Sequence, residues 1–241
     1  MSINAGSKQP DGKAEIGTRA LRNLLSVVGL TVALAATLFV TSGHLDWVMA
    51  WVYVSIRVGI GVVSMLIIAS KYPGLLEERF QPGEGVKAWD RPFANITTFL
   101  SLAVLIVAGL DMRFGWSPDL TVASRLVALV VWVLGDVFSK WAAVSNRFYS
   151  RMVRIQTDRG HTVVTDGPYR YVRHPGYAGG LVAGLATPIV LDSLWALVAV
   201  GVLALLLAIR TALEDKTLHE ELLGYTEYAQ QTRYRLMPGV W

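Results

Sequence analysis

The stretch "YAGGLVAGLATPIVLDSLWALVAVGVLALLLAI", Tyr177 to Ile209, decides how this chain is built. It is 33 residues of almost unbroken apolar sequence, whereas crossing about 30 Å of hydrocarbon takes about 20 residues of helix. Near its centre stands "LDSLW", and Asp192 and Ser193 are turn and cap residues. The block therefore reads as two helices folded into a tight hairpin, the first somewhat short.

Upstream, four further stretches have the length and apolarity of spans: Leu24 to Thr41, Trp47 to Ala69, Phe93 to Leu110 and Leu120 to Ser139. The expected fold class is all-α, a polytopic membrane protein of about six transmembrane helices. Three regions follow: a disordered cytosolic tail over 1–22, a four-span membrane region over 23–140, and a region over 141–241 made of a cytosolic loop, the hairpin and a C-terminal cytosolic segment. The tail has no short apolar core ending in a small-residue cleavage site.

Charge sets the orientation. Of the 22 lysines and arginines, nineteen fall in the N-terminal tail, the 70–92 loop, the 140–175 loop and the C-terminal tail, against Arg113 alone on the other side. This asymmetry places both termini in the cytosol, the protein being integral to the cell (inner) membrane. The net charge of +4 is then a topology signal and no argument for nucleic-acid binding. Within the spans, Arg57 and Asp136 are candidates for a bridge, and Arg125 sits where it can snorkel. "GLLEERF" in the 71–92 loop has the pattern of a short amphipathic helix on the membrane, although a plain connector accounts for the loop. "SNRFYSRMVRIQ", after the fourth span, reads as an interfacial anchor.

No cysteine is present, and His44, His161, His174 and His219 are too scattered to form a metal site, which excludes thiolate and metal chemistry on this pattern. The chemistry-bearing residues lie in two blocks, "RIQTDRGHTVVTDGPYRYVRHPGYAGG" (154–180) and "IRTALEDKTLHEELLGYTEYAQQTRYRLMPGVW" (209–241). Each adjoins one end of the hairpin, so closing the hairpin brings them together. Pro168 and Pro175 disfavour helix before them, so a helix starts just after His174 and presents unpaired N–H groups suited to a carboxylate. Tyr169, Tyr171 and Tyr177 offer ring faces to an adenine or a sulfonium. Arg210 and Glu214, four residues apart, share a helix face. The apolar end "RYRLMPGVW" is expected to fold back against the lip of the hairpin.

"GHTVVTDGPYRYVRHPGYAG", then "RTALEDKTL" after the hairpin, then "GYTEYAQQTRYRLMPGVW", resembles the isoprenylcysteine carboxyl methyltransferase (ICMT) family, here of the bacterial integral-membrane type. The resemblance implies methyl transfer from S-adenosyl-L-methionine to a lipid-like acceptor reached from the bilayer. It implies cofactor contacts at Gln156, His161, Thr162, Val163, Val164, Tyr169, His174, Pro175, Gly176, Tyr177 and Glu214, with His174 also at the catalytic centre and Arg210 orienting the acceptor. Asp215 stands where the family has a second glutamate. A carboxylate acceptor needs no general base, whereas a phospholipid amine would need one from His161, His174 or a tyrosine. A third reading is a non-enzymatic transporter or scaffold.

Overall fold

The computed structural model describes residues 28–29, 31–72 and 84–241. The 1–22 tail and the "GLLEERF" segment lie outside them. The described chain is helical with no strand. Its helices are α1 (Thr31–Ser42), α2 (Val48–Lys71), α3 (Asp90–Phe114), α4 (Val122–Ser145), α5 (Pro175–Val190), α6 (Ala196–Glu221) and α7 (Tyr225–Gln231).

Among the described residues, α2, α3, α4 and α6 are long and apolar enough to cross a membrane. Their outward faces carry large bare hydrophobics, with Phe99 76%, Val127 65% and Leu205 63% exposed. Lipid, not water, suits such a surface. The protein is an integral membrane protein. The hairpin expected from "LDSLW" is present, and its first arm is the short one, α5 having 16 residues, about 24 Å of helix.

Side chains account for the turn at this end of the bundle. Asp192 adopts a left-handed φ of 58°, and its carboxylate takes the Leu120 N–H at 2.8 Å and the Arg125 guanidinium at 3.1 Å. Arg125 is therefore held in an ion pair at this end of the bundle. Ser193 caps α6 at the Ala196 N–H, 3.2 Å away, and donates to Asp111 of α3 at 2.6 Å. Asp111 also accepts from the Ser117 N–H and hydroxyl at 2.7 and 2.6 Å. One buried carboxylate thus ties the α3–α4 link to the hairpin turn.

Close approach of α4 and α5 follows from glycine. A Cβ on Gly179 would lie 2.5 Å from the Gly135 carbonyl oxygen and 2.6 Å from the Ser139 nitrogen. Small residues let two backbones pack where hydrophobicity gives no preference between protein and lipid. Trp132, fully buried, sits 4.8 Å from the Tyr53 ring, and this core runs through Leu38, Ala50, Ala108, Val190 and Val200. Helices α1 to α6 all contribute to that core.

Arg57 and Asp136 form no ion pair within 4 Å among the described residues. Asp136 binds Lys140 at 3.4 Å, one helical turn along α4, and Arg57 lies 6.0 Å from the Tyr53 ring centroid. The i, i+4 geometry within one helix decides the partner.

Candidate functional site

At the opposite end of the bundle, the Asn146–His174 segment, the start of α5, the end of α6 and α7 enclose a cavity. The lid over α5 comes from the C-terminal segment: the Arg173 and His174 N–H groups donate to the Tyr234 and Arg235 carbonyls, each at 2.9 Å. Trp241 closes that fold-back, its carbonyl accepting from Arg235, Leu236 and Met237. The expected return of the apolar C-terminus is therefore present as backbone pairing.

Asp215, fully buried, is the fulcrum. It accepts two hydrogen bonds from Arg173 at 2.8 and 3.0 Å, one from Arg235 at 2.8 Å and one from Tyr225 at 2.8 Å, with His174 Nε2 at 3.2 Å. Three segments, at 173–174, 225 and 235, converge on this one carboxylate of α6. Arg173 also donates to the Thr232 and Arg233 carbonyls at 3.0 and 2.7 Å, so its guanidinium is both charge-balanced and saturated. The residue that departs from the family's glutamate thus holds the site together from behind the cavity wall.

Of the residues expected to bind cofactor, Gln156, His161, Thr162, Val163, Val164, Tyr169, His174, Gly176, Tyr177 and Glu214 all line the cavity. Pro175 is buried behind it as the first residue of α5. Tyr171 points away and is 61% exposed. Tyr177 donates to Glu214 at 2.5 Å across the hairpin, and the His174 ring stacks parallel to that of Tyr177 at 5.8 Å. Gly176 is required because a Cβ would meet the Tyr149 hydroxyl at 2.7 Å.

The 156–161 turn is closed by Gly160 at φ 61°. Gln156 and His161 hold each other: the Gln156 N–H donates to His161 Nδ1, and the His161 N–H to the Gln156 carbonyl, both at 3.2 Å. The Gln156 side chain donates to the Phe148 carbonyl and accepts from Arg159, each at 2.6 Å. Its amide shapes the wall through protein contacts. Burial, then the charges of Arg154, Arg159 and Arg147, lower the His161 pKa to about 4. Burial pushes the Tyr169 and Tyr225 phenols well up and Tyr228 to about 12. At neutral pH these tyrosines keep their protons: Tyr225 and Tyr228 donate, to Asp215 and to the Tyr169 carbonyl, while the Tyr169 hydroxyl accepts from Asn146.

Arg210 stands beside the cavity. Its fork grips the fully buried Asp90 at 2.7 and 3.0 Å, and it donates to the Arg151 carbonyl at 2.9 Å. Its charged group lies 5.4 Å from the Tyr177 ring centroid. Asp90 also accepts the Val153 N–H at 2.7 Å, and the Lys87 N–H reaches the Val153 carbonyl at 2.9 Å. The described part of the 71–92 loop is thus bonded to the site wall, beyond the role of a connector. "SNRFYSRMVRIQ" supplies Asn146, Phe148, Tyr149, Met152 and Val153 to the cavity and so forms part of its wall.

Sequence reasoning missed Asp90, Tyr149, Tyr225 and Tyr228 as site-building residues and named Asp215 only as a departure from the family's glutamate. The signals were faint: an aspartate opening a helix in "DRP", and tyrosines three apart in "GYTEYAQQ".

Fold and site together define an integral-membrane protein with a cavity lined by charged, aromatic and apolar side chains at one end of its helices. Residues 126–220 match the model of the Isoprenylcysteine carboxyl methyltransferase (ICMT) family. The chain is 38% identical over 66 residues to a probable protein-S-isoprenylcysteine O-methyltransferase of Oryza sativa subsp. indica, covering 27% of this chain and 35% of that protein. It is 30% identical over 107 residues to protein-S-isoprenylcysteine O-methyltransferase B of Arabidopsis thaliana, covering 43% and 54%. The A protein of the same plant matches at 30% over 105 residues. The chain therefore spans between about a third and about half of these relatives. The resemblance read from its motifs holds, and the matched region contains the hairpin and most of the cavity.

Proposed function

We propose that this protein is an S-adenosyl-L-methionine-dependent methyltransferase that methylates the carboxylate of an isoprenoid-type or other lipidic acceptor. The observation that carries the reading is the Tyr177–Glu214 pair facing a cavity walled by Phe148, Tyr149, Tyr169 and Val163. A carboxylate beside ring faces and apolar side chains suits a donor with an amino group, hydroxyls, a flat base and a sulfonium. That donor supplies an electrophilic methyl: the acceptor oxygen's electron pair forms the O–CH3 bond as the S–CH3 pair returns to a neutral thioether.

The chain's own residues then bind, align and exclude water. Glu214 holds donor hydroxyls or its amine, and Tyr177 fixes the rotamer of Glu214. His174, stacked on Tyr177 and bonded to Asp215, fixes the entry to α5, its carbonyl taking the Tyr177 and Ala178 N–H groups at 3.1 and 3.0 Å. Arg210 keeps its fork on Asp90, so it offers an acceptor carboxylate positive potential rather than a bidentate grip. The site end faces the cytosol of the cell (inner) membrane by the distribution of lysine and arginine, with donor entering from water and acceptor from the bilayer.

An ionised carboxylate fits the titration behaviour of the wall. An amine acceptor has to lose a proton, and the tyrosines hold theirs too tightly, His161 is too weak a base near neutrality, and His174 turns its Nε2 to Asp215 at 3.2 Å. The test is transfer of labelled methyl by purified protein in lipid, followed by mild base. Release of volatile methanol from a lipidic product is expected. A base-stable N-methyl product would overturn the carboxylate assignment, and no S-adenosylhomocysteine binding would overturn the methyltransferase reading.

A further inference from the structure

A second cavity opens between α1, α2 and α4, lined by Leu34, Val54, Arg57, Val58, Gly61 and Lys140. It lies away from the cavity already described and shares no residue with it. Arg57 is nine residues into α2, about 14 Å from its start, and is exposed. An arginine at that depth normally has an acidic partner. Among the described residues none lies within 4 Å; the neighbouring carboxylate, Asp136, is bonded to Lys140, whose side chain is 37% exposed.

The charges do not balance. Arg57 and Lys140 are the charged residues of the lining, with Thr31 and four apolar positions, and Asp136 beside them supplies one negative charge against two positive. Added side-chain bulk at Gly61 would meet nothing within 4 Å, so space is open beside the cations.

We propose that this recess binds an anionic phospholipid of the surrounding bilayer. Its phosphate is held by Lys140, toward the site end of α4, and by Arg57 reaching up from below. One acyl chain lies along Leu34, Val54 and Val58. This lipid is a resident of the fold and is separate from the methyl acceptor.

The experiment uses the full chain purified from nanodiscs containing equal phosphatidylglycerol and phosphatidylcholine, with retained lipid read by native mass spectrometry. Wild-type protein is expected to retain phosphatidylglycerol over phosphatidylcholine by about fivefold. Arg57→Gln should abolish the preference and Arg57→Lys keep it, each with a thermal transition close to wild type. Equal retention of both lipids by wild type, or an unchanged preference in Arg57→Gln, overturns the proposal. So does displacement of the retained lipid by a farnesylated carboxylate, which would make the recess an acceptor path. If Arg57→Gln does not fold, the wild-type preference and its persistence in Arg57→Lys decide the matter.

Discussion

Asp215→Asn removes the charge on which three segments of the site converge while keeping the side chain's shape. In the native protein this carboxylate accepts four hydrogen bonds from Arg173, Arg235 and Tyr225 and is fully buried. Arg173, at 8% side-chain exposure, would be left as a buried cation without a counter-charge. Breaking such a pair by removing one partner costs about 3 to 5 kcal/mol. For a domain of this size that is a fall of roughly 6 to 20 °C in the thermal transition. The matched control is Asp166→Asn, which breaks an ion pair of the same kind with Arg170 whose side chains are 82% and 69% exposed. Solvent screening should hold its effect to about 2 °C. The assay is thermal unfolding in one detergent, with S-adenosylhomocysteine titration alongside. If Asp215→Asn shifts the transition no more than Asp166→Asn does, the carboxylate is not what holds Arg173, His174 and the C-terminal segment together.

Three further outcomes are expected. Glu214→Ala should weaken S-adenosylhomocysteine binding by at least about tenfold, and Tyr177→Phe by less, because it frees the glutamate's rotamer without removing its charge. Calorimetric titration separates the two. Gly179→Val should prevent α4 and α5 from closing, whereas Gly184→Ala, with nothing within 4 Å of the added carbon, should leave expression and thermal stability near wild type. For pH, His161 is held neutral in the fold, at about 4 against an ordinary value of 6.5. The unfolded chain then binds the extra proton between those values, so stability falls as pH drops from 6.5 to about 4. His161→Gln should flatten that part of the profile in melts recorded across the window.

Much of the architecture was legible because membrane folding is governed by long-range apolarity. Two residues, Asp192 and Ser193, sufficed to split the hairpin, since a polar pair has no stable place at mid-bilayer. The cavity-lining set was legible from motif chemistry, through Gly176, Tyr177 and Glu214. Partners were harder to read. Asp136 had two candidate cations, and one-turn helical proximity made Lys140 its partner. Arg125 looked free at a helix end until Asp192 came to it from 67 residues away.

What the sequence by itself determined, then, is the set of helices, their hairpin and the two polar blocks that meet at its open end. Each follows from short windows of composition and from the bilayer's dimensions. Only the tertiary structure decided which charges answer one another: Asp90 with Arg210 across 120 residues, and Asp215 with Arg173 and Arg235. A buried charge is satisfied by whichever opposite group the packed helices bring within about 3 Å. That distance is a property of how the helices cross, which no local window of sequence contains.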